Sequence, residues 1–336
     1  MSKVQKSNLL IIACVFLPVV GALLLINVPP KLTLALNQYL FILIPCMVFM
    51  LANNMNIKKT LKLNPMKTSD IFRVILLTLV MLPITQLISK IASSIFGSPI
   101  SEFITDIVSS NTFPYLFFVI AITPAICEEV IMRGIVLDGY KKFGFKKAVI
   151  LNGILFGMLH MNFHQFFYTA FLGTIFAIVV WYTKSIFASM IMHLVNNGLS
   201  VTMSSFVKID QETINQADQL SSSPANFIVY VILLITSLYL TYYFLRAIKL
   251  NNMPILEKKY NITQNSQVEY DIINKDDLYS KNVKPYYNSD NSYEKNHISD
   301  NLIRENSNEE NVSILNISFV LLIIIFIGLS LLTQFL

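Results

Sequence analysis

Nine apolar runs, near residues 8–28, 34–52, 70–92, 112–138, 148–164, 166–183, 185–206, 225–246 and 312–334, leave this chain little choice of fold. Each is long enough to cross a hydrocarbon core about 30 Å thick, allowing for tilt. The run at 148–164 is the shortest. Hydrophobic residues make up 54% of the chain and charged residues 13%, well away from the balance of a soluble domain. The expectation is an all-α, polytopic transmembrane helix bundle, with about eight core helices plus one C-terminal helix. The first run follows Lys3 and Lys6. It is too long for a signal peptide and shows no small-residue cleavage site, so it reads as a retained helix.

Loop charges orient the bundle. Residues 53–69 carry Lys58, Lys59, Lys62 and Lys67, and residues 139–147 carry Lys141, Lys142, Lys146 and Lys147. Lys184 marks the next turn on that side, and Arg246 and Lys249 the one after. The intervening loops differ. Residues 93–111 hold Glu102 and Asp106 without Lys or Arg, and 207–224 is acidic and polar. By the positive-inside rule this alternation sets a cytoplasmic amino terminus and a cell-membrane location. The lysines beside apolar runs serve orientation, so the net charge of +5 does not point to nucleic acid. The expected partner is the lipid bilayer. From 248 to 311 the composition turns to Asn, Ser, Asp, Lys and Tyr, the pattern of a solvated, disordered cytoplasmic segment. Cys14, Cys46 and Cys127 lie in apolar runs without metal-ligand spacing and read as buried small hydrophobes.

One run breaks the apolar pattern with Glu128, Glu129 and Arg133. Each charge costs roughly 2.5 kcal/mol or more at the bilayer centre, so each needs a partner or a task. Glu129 and Arg133 are one helical turn apart and can pair, while Glu128 is rotated by about 100° and points elsewhere. Two later runs carry polar residues at the same spacing: Phe156 and His160, with Asn152 a turn earlier, and then His193 and Asn197. At 1.5 Å per residue, Glu128 lies about 16 Å from the end of its run near Gly139. His160 lies about 20 Å from Lys147, His193 about 13 Å from Lys184 and Asn197 about 20 Å from it. Three helices thus bring polar groups to one level of the membrane.

That set can hydrolyse a peptide. A buried carboxylate takes a proton from water, one imidazole orients it, and a second imidazole with a carboxamide stabilises the oxyanion. Two His and a Glu can also hold zinc, here Glu128, His160 and His193, although the HExxH pattern is absent. Blander readings exist for each residue. A Glu–Arg pair can be structural, a membrane histidine can be a satisfied packing residue, and Phe156 suits packing. Gly153 and Gly157 make a GxxxG face suited to close helix contact. Pro124 is expected to kink its helix and free backbone carbonyls. His164 and His297 read as incidental.

Glu128-Glu129-x-x-x-Arg133, Phe156-x-x-x-His160 and His193-x-x-x-Asn197 resemble the three motifs of the CPBP intramembrane proteases. That family includes type II CAAX prenyl endopeptidases, abortive-infection and bacteriocin-immunity-like proteins and lysostaphin-resistance-A-like proteins. The resemblance implies catalytic residues Glu128, Glu129, Arg133, His160, His193 and Asn197. Glu128 would be the general base, His160 would hold the water, Glu129 would pair with Arg133, and His193 with Asn197 would form the oxyanion hole. No cofactor is required by this glutamate-dependent scheme, zinc being the alternative. The implied organisation is N-terminal helices over 1–111, a peptidase core over 112–247, the polar segment over 248–311 and a last helix over 312–336. The competing readings are a non-catalytic membrane scaffold or immunity-type protein, and a proton-coupled transporter. The latter predicts inverted repeats or paired broken helices, which the sequence lacks.

Overall fold

The computed structural model describes residues 1–97, 107–206, 224–266 and 313–335. The described residues are helical, without strands. We number the helices α1 (Lys3–Leu24), α2 (Leu32–Ala52), α3 (Thr68–Phe96), α4 (113–140), α5 (Gly144–Leu159), α6 (Phe163–Thr183), α7 (Ile186–Phe206), α8 (Pro224–Ser266) and α9 (Ile317–Phe335). Among the described residues, eight stretches are long and apolar enough to cross a membrane, and the 47-residue stretch Phe113–Leu159 holds both α4 and α5. The protein is a multi-pass membrane protein. A 3-10 turn at Lys141–Phe143 and Gly144, with φ of 80°, separate α4 from α5. That positive φ is where a glycine costs least.

Helix α4 is the axis of the bundle. It contacts α1, α2, α5, α6 and α7, whereas α3 and α8 pack outside α6 and α7, and α9 packs on α1 and α5. Small residues set these approaches. A methyl group on Gly153 would lie 2.6 Å from the Ala170 carbonyl oxygen, and one on Gly157 would lie 2.7 Å from that of Phe166. The GxxxG face of α5 therefore meets α6 backbone to backbone, as its spacing predicts.

Two expectations need adjusting. The run at 148–164 does not continue as one helix. Helix α5 ends at Leu159, Met161 takes φ of 47°, and Asn162 caps α6 by accepting from the Gln165 amide at 3.0 Å. Sixteen residues of α5 rise only about 24 Å, short of the hydrocarbon core. His160 is thus a helix-ending residue within the protein rather than one buried mid-helix. The other adjustment concerns 248–266, which continue α8 instead of leaving it as solvated chain. Ile248 is buried, and Asn252 donates to Asp70 Oδ2 at 2.7 Å. Asp70 also accepts from Arg73 at 2.8 Å and Asn251 at 2.9 Å, which satisfies a carboxylate that the α3 periodicity buries. The remainder of the polar segment, the 207–223 loop, Glu102, Asp106 and His297 lie outside the described residues.

The Lys-bearing ends gather on one face. Lys6 donates to Asn53 at 2.7 Å, Gly139 abuts Ser7 and the Lys3 carbonyl, and Lys67 donates to the Asn251 carbonyl. Cys14, Cys46 and Cys127 are free thiols and buried.

Candidate active site

Helix α4 is not uniformly α-helical. A π-helical turn, Phe117–Ile122, precedes the α-helical Thr123–Glu129, and a second, Val130–Val136, follows it. Pro124 lacks an N–H, so the Ile120 carbonyl four residues earlier loses its helical donor. The Asn197 amide of α7 donates to that carbonyl at 3.0 Å. The freed backbone oxygen is thereby satisfied from another helix, as a membrane interior requires. The second π turn leaves further carbonyls to be met from outside α4. Asn152 donates to the Met132 carbonyl at 2.7 Å, and Lys62 to the Arg133 carbonyl at 2.8 Å.

The two carboxylates part company at this junction. Glu129 is fully buried and lies 2.9 Å from Arg133 Nη1, with Arg133 equally sealed. The guanidinium also donates through Nη2 to the Gly173 carbonyl on α6 at 3.0 Å. Its plane lies over the Phe156 ring, 4.4 Å from the centroid, and near Phe176 at 5.2 Å. Glu128 keeps 18% of its side chain exposed. What it faces is His193. That imidazole lies with Nδ1 2.9 Å from Glu129 Oε1 and Nε2 4.0 Å from Glu128 Oε2. An ionised Glu129, fixed by Arg133, can only accept, so Nδ1 carries a proton. His193 is itself 6% exposed.

His160 is half-buried, and its Nδ1 donates to the Phe156 carbonyl at 3.0 Å. In the neutral ring Nε2 is then the acceptor. Phe156 joins the parts: the His160 and His193 rings meet it edge-on, at 5.2 and 5.9 Å between centroids, while Arg133 covers its face. Direct contacts thus join Glu128, Glu129, Arg133 and His193, Phe156 links His160 to them, and Asn197 lies one turn beyond His193 on α7, held on the Ile120 carbonyl of α4. His164 stands apart, 3.1 Å from Ser89 and packed on Tyr168.

Residues that sequence spacing did not single out are Phe176, Lys62 and the Gly173 carbonyl. Gly173 is forty positions from Arg133, and no local pattern announces a backbone acceptor at that range. Phe156 was legible as a motif residue but read as packing alone; it is both packing and the surface on which the charged groups rest. Among the described residues, no three His, Cys, Asp or Glu side chains gather closely enough to hold a metal ion.

The segment that carries these residues also resembles a known family. Residues 110–199 match the family model described as Rce1-like, type II CAAX prenyl endopeptidase Rce1-like. This segment is similar to the CAAX protease family. It covers less than a third of the chain yet contains all six residues of the site. The remaining helices frame the Rce1-like segment and lie beyond the match. No curated protein matches the chain, and no solved structure does.

Proposed function

We propose that the protein is an intramembrane endopeptidase that hydrolyses a peptide bond with water activated by Glu128. The observation that carries this reading is the position of His193 between two carboxylates, one sealed at 2.9 Å and one reachable at 4.0 Å. A sealed carboxylate fixes the ring, and a reachable one meets the reactant.

The attacking water donates one hydrogen to Glu128 and the other to Nε2 of His160, which the Phe156 carbonyl leaves as an acceptor. A lone pair on that water attacks the scissile carbonyl carbon. As the C–O bond forms, Glu128 takes the proton and negative charge develops on the former carbonyl oxygen. Two donors face that charge. One is the Asn197 amide, which has a second N–H beyond the one bound to Ile120. The other is Nε2–H of His193 in its doubly protonated form, with Nδ1–H held on Glu129. Each such donor is typically worth about 3–4 kcal/mol in the transition state. Collapse of the intermediate breaks the C–N bond, and Glu128 returns its proton to the leaving amine.

Arg133 offsets Glu129 within the buried cluster, the pairing that low-dielectric burial favours. The substrate on this reading is a protein or peptide segment presented at the membrane. The enzyme sits in the cell membrane with its amino terminus and Lys-bearing loops in the cytoplasm. The test is a membrane-proteome comparison of cells carrying wild type or Glu128→Gln. One uncleaved precursor accumulating in the variant supports the proposal. Indistinguishable proteomes at equal expression contradict it.

A further inference from the structure

On the Lys-bearing face, three separate connections converge on a single cavity of about 520 Å³. Lys58, Lys59 and Lys62 reach it from the α2–α3 connection, Lys141 from the α4–α5 turn and Lys184 from the α6–α7 turn. The one carboxylate in the lining is Asp138, 3.0 Å from Lys141. The positive-inside rule accounts for lysines on this side of the membrane. It does not account for five of them around one hollow, where like charges repel. Hydrogen bonds hold the walls in place: the Asn64 side-chain amide donates to the Lys184 carbonyl at 2.6 Å, and the Ile186 backbone amide to that of Lys62 at 3.2 Å.

Trp181, at the last turn of α6, forms part of the lining, and the Lys184 ammonium lies 4.8 Å from its ring centre. Aromatic residues at this depth mark the membrane–water boundary. A concave cationic site with one indole at that boundary suits a phosphate group with an apolar body below it. Lys62 ties the cavity to the domain above, since its ammonium also donates to the Arg133 carbonyl.

We propose that this cavity binds a phosphate-bearing anion, of the kind carried by the headgroup of an anionic membrane lipid. The proposal is independent of the peptidase reading. Its ammonium groups would hold the phosphate oxygens as point-charge donors, and clustered lysines at a membrane surface favour anionic headgroups.

Trp181 is the only tryptophan in the sequence, so its emission reports on this cavity alone. The full chain would be placed in nanodiscs of phosphatidylcholine with increasing phosphatidylglycerol. In parallel, inorganic phosphate would be titrated into pure phosphatidylcholine discs. The expected result is a saturable change in Trp181 emission with the anionic lipid. Lys58→Gln with Lys59→Gln, both exposed, should raise the half-saturation point by about tenfold. Lys146→Gln with Lys147→Gln removes equal charge from the same face outside the cavity and should leave the titration unchanged. A saturable response to inorganic phosphate in neutral discs would also support the site and assign it to soluble phosphate compounds. No saturable response to either, or equal losses from the two double variants, would overturn it.

Discussion

Arg133 has two acceptors, Glu129 and the Gly173 carbonyl, and two aromatic rings against its guanidinium. Lysine cannot reproduce that fork. Arg133→Met would leave the Glu129 carboxylate buried without its cation, at a cost of about 3–5 kcal/mol. Thermal unfolding in detergent should show the loss. Adding Glu129→Leu removes the stranded charge and should restore most of the stability, while cleavage stays absent. On the proposed mechanism Asn197 does two jobs, since the amide that satisfies the Ile120 carbonyl also serves as an oxyanion donor. We expect Asn197→Ala to lower kcat by roughly 10²–10³-fold with KM little changed, as for loss of a transition-state donor. A raised KM with unchanged kcat would argue against that role. At this scale the sequence was informative where residues are one turn apart. The Glu129–Arg133 pair follows from spacing of four. The contacts of His193 with both carboxylates, and of Arg133 with Gly173, join different helices and leave no trace in periodicity.

The segment that carries both carboxylates, Thr123–Glu129, sits between two π-helical turns of α4 and packs on α2 and α7. Pro124 hinted at the first turn by removing one backbone donor. The second, Val130–Val136, has no proline to mark it, and Asn152 and Lys62 supply donors to its carbonyls from other elements. The end of α5 at Leu159 was hidden for a related reason. Residues 158–164 remain apolar enough to continue a run, and only the Asn162 cap and the turn at Met161 interrupt it. Close packing of α5 on α6 can be tested by Gly153→Ala. In an open helix that change stabilises by about 0.5–1 kcal/mol. Here the added methyl would lie 2.0 Å from Thr174 Oγ1 and 2.6 Å from the Ala170 carbonyl, so overpacking of about 1–3 kcal/mol should prevail. A lower unfolding temperature is expected. A higher one would mean the helices do not touch there.

At the scale of the whole molecule, the apolar runs and the loop lysines made the bundle legible from the sequence. The number and order of the helices follow from length and hydropathy, because a bilayer admits few alternatives. Which helix stands at the centre does not follow, since α4 differs from its neighbours in what surrounds it rather than in apolar content. The orientation is open to direct measurement. A cysteine introduced at Lys58 or Lys142 should react with a membrane-impermeant thiol reagent only when the cytoplasmic face is exposed. One at Ser110 should react from outside on intact cells. The native thiols are buried and should stay silent, and a reversed pattern would overturn the topology.

The account rests on α4, α5 and α7 bringing Glu128, His160, His193 and Asn197 to one water-accessible point, with Glu129 and Arg133 holding the arrangement from behind. The most direct measurement is the rate at which purified Glu128→Gln cleaves, in detergent, the precursor that accumulates in cells carrying it. The account predicts no turnover above background by a variant that unfolds at the wild-type temperature. Cleavage by that variant at the wild-type rate would contradict it.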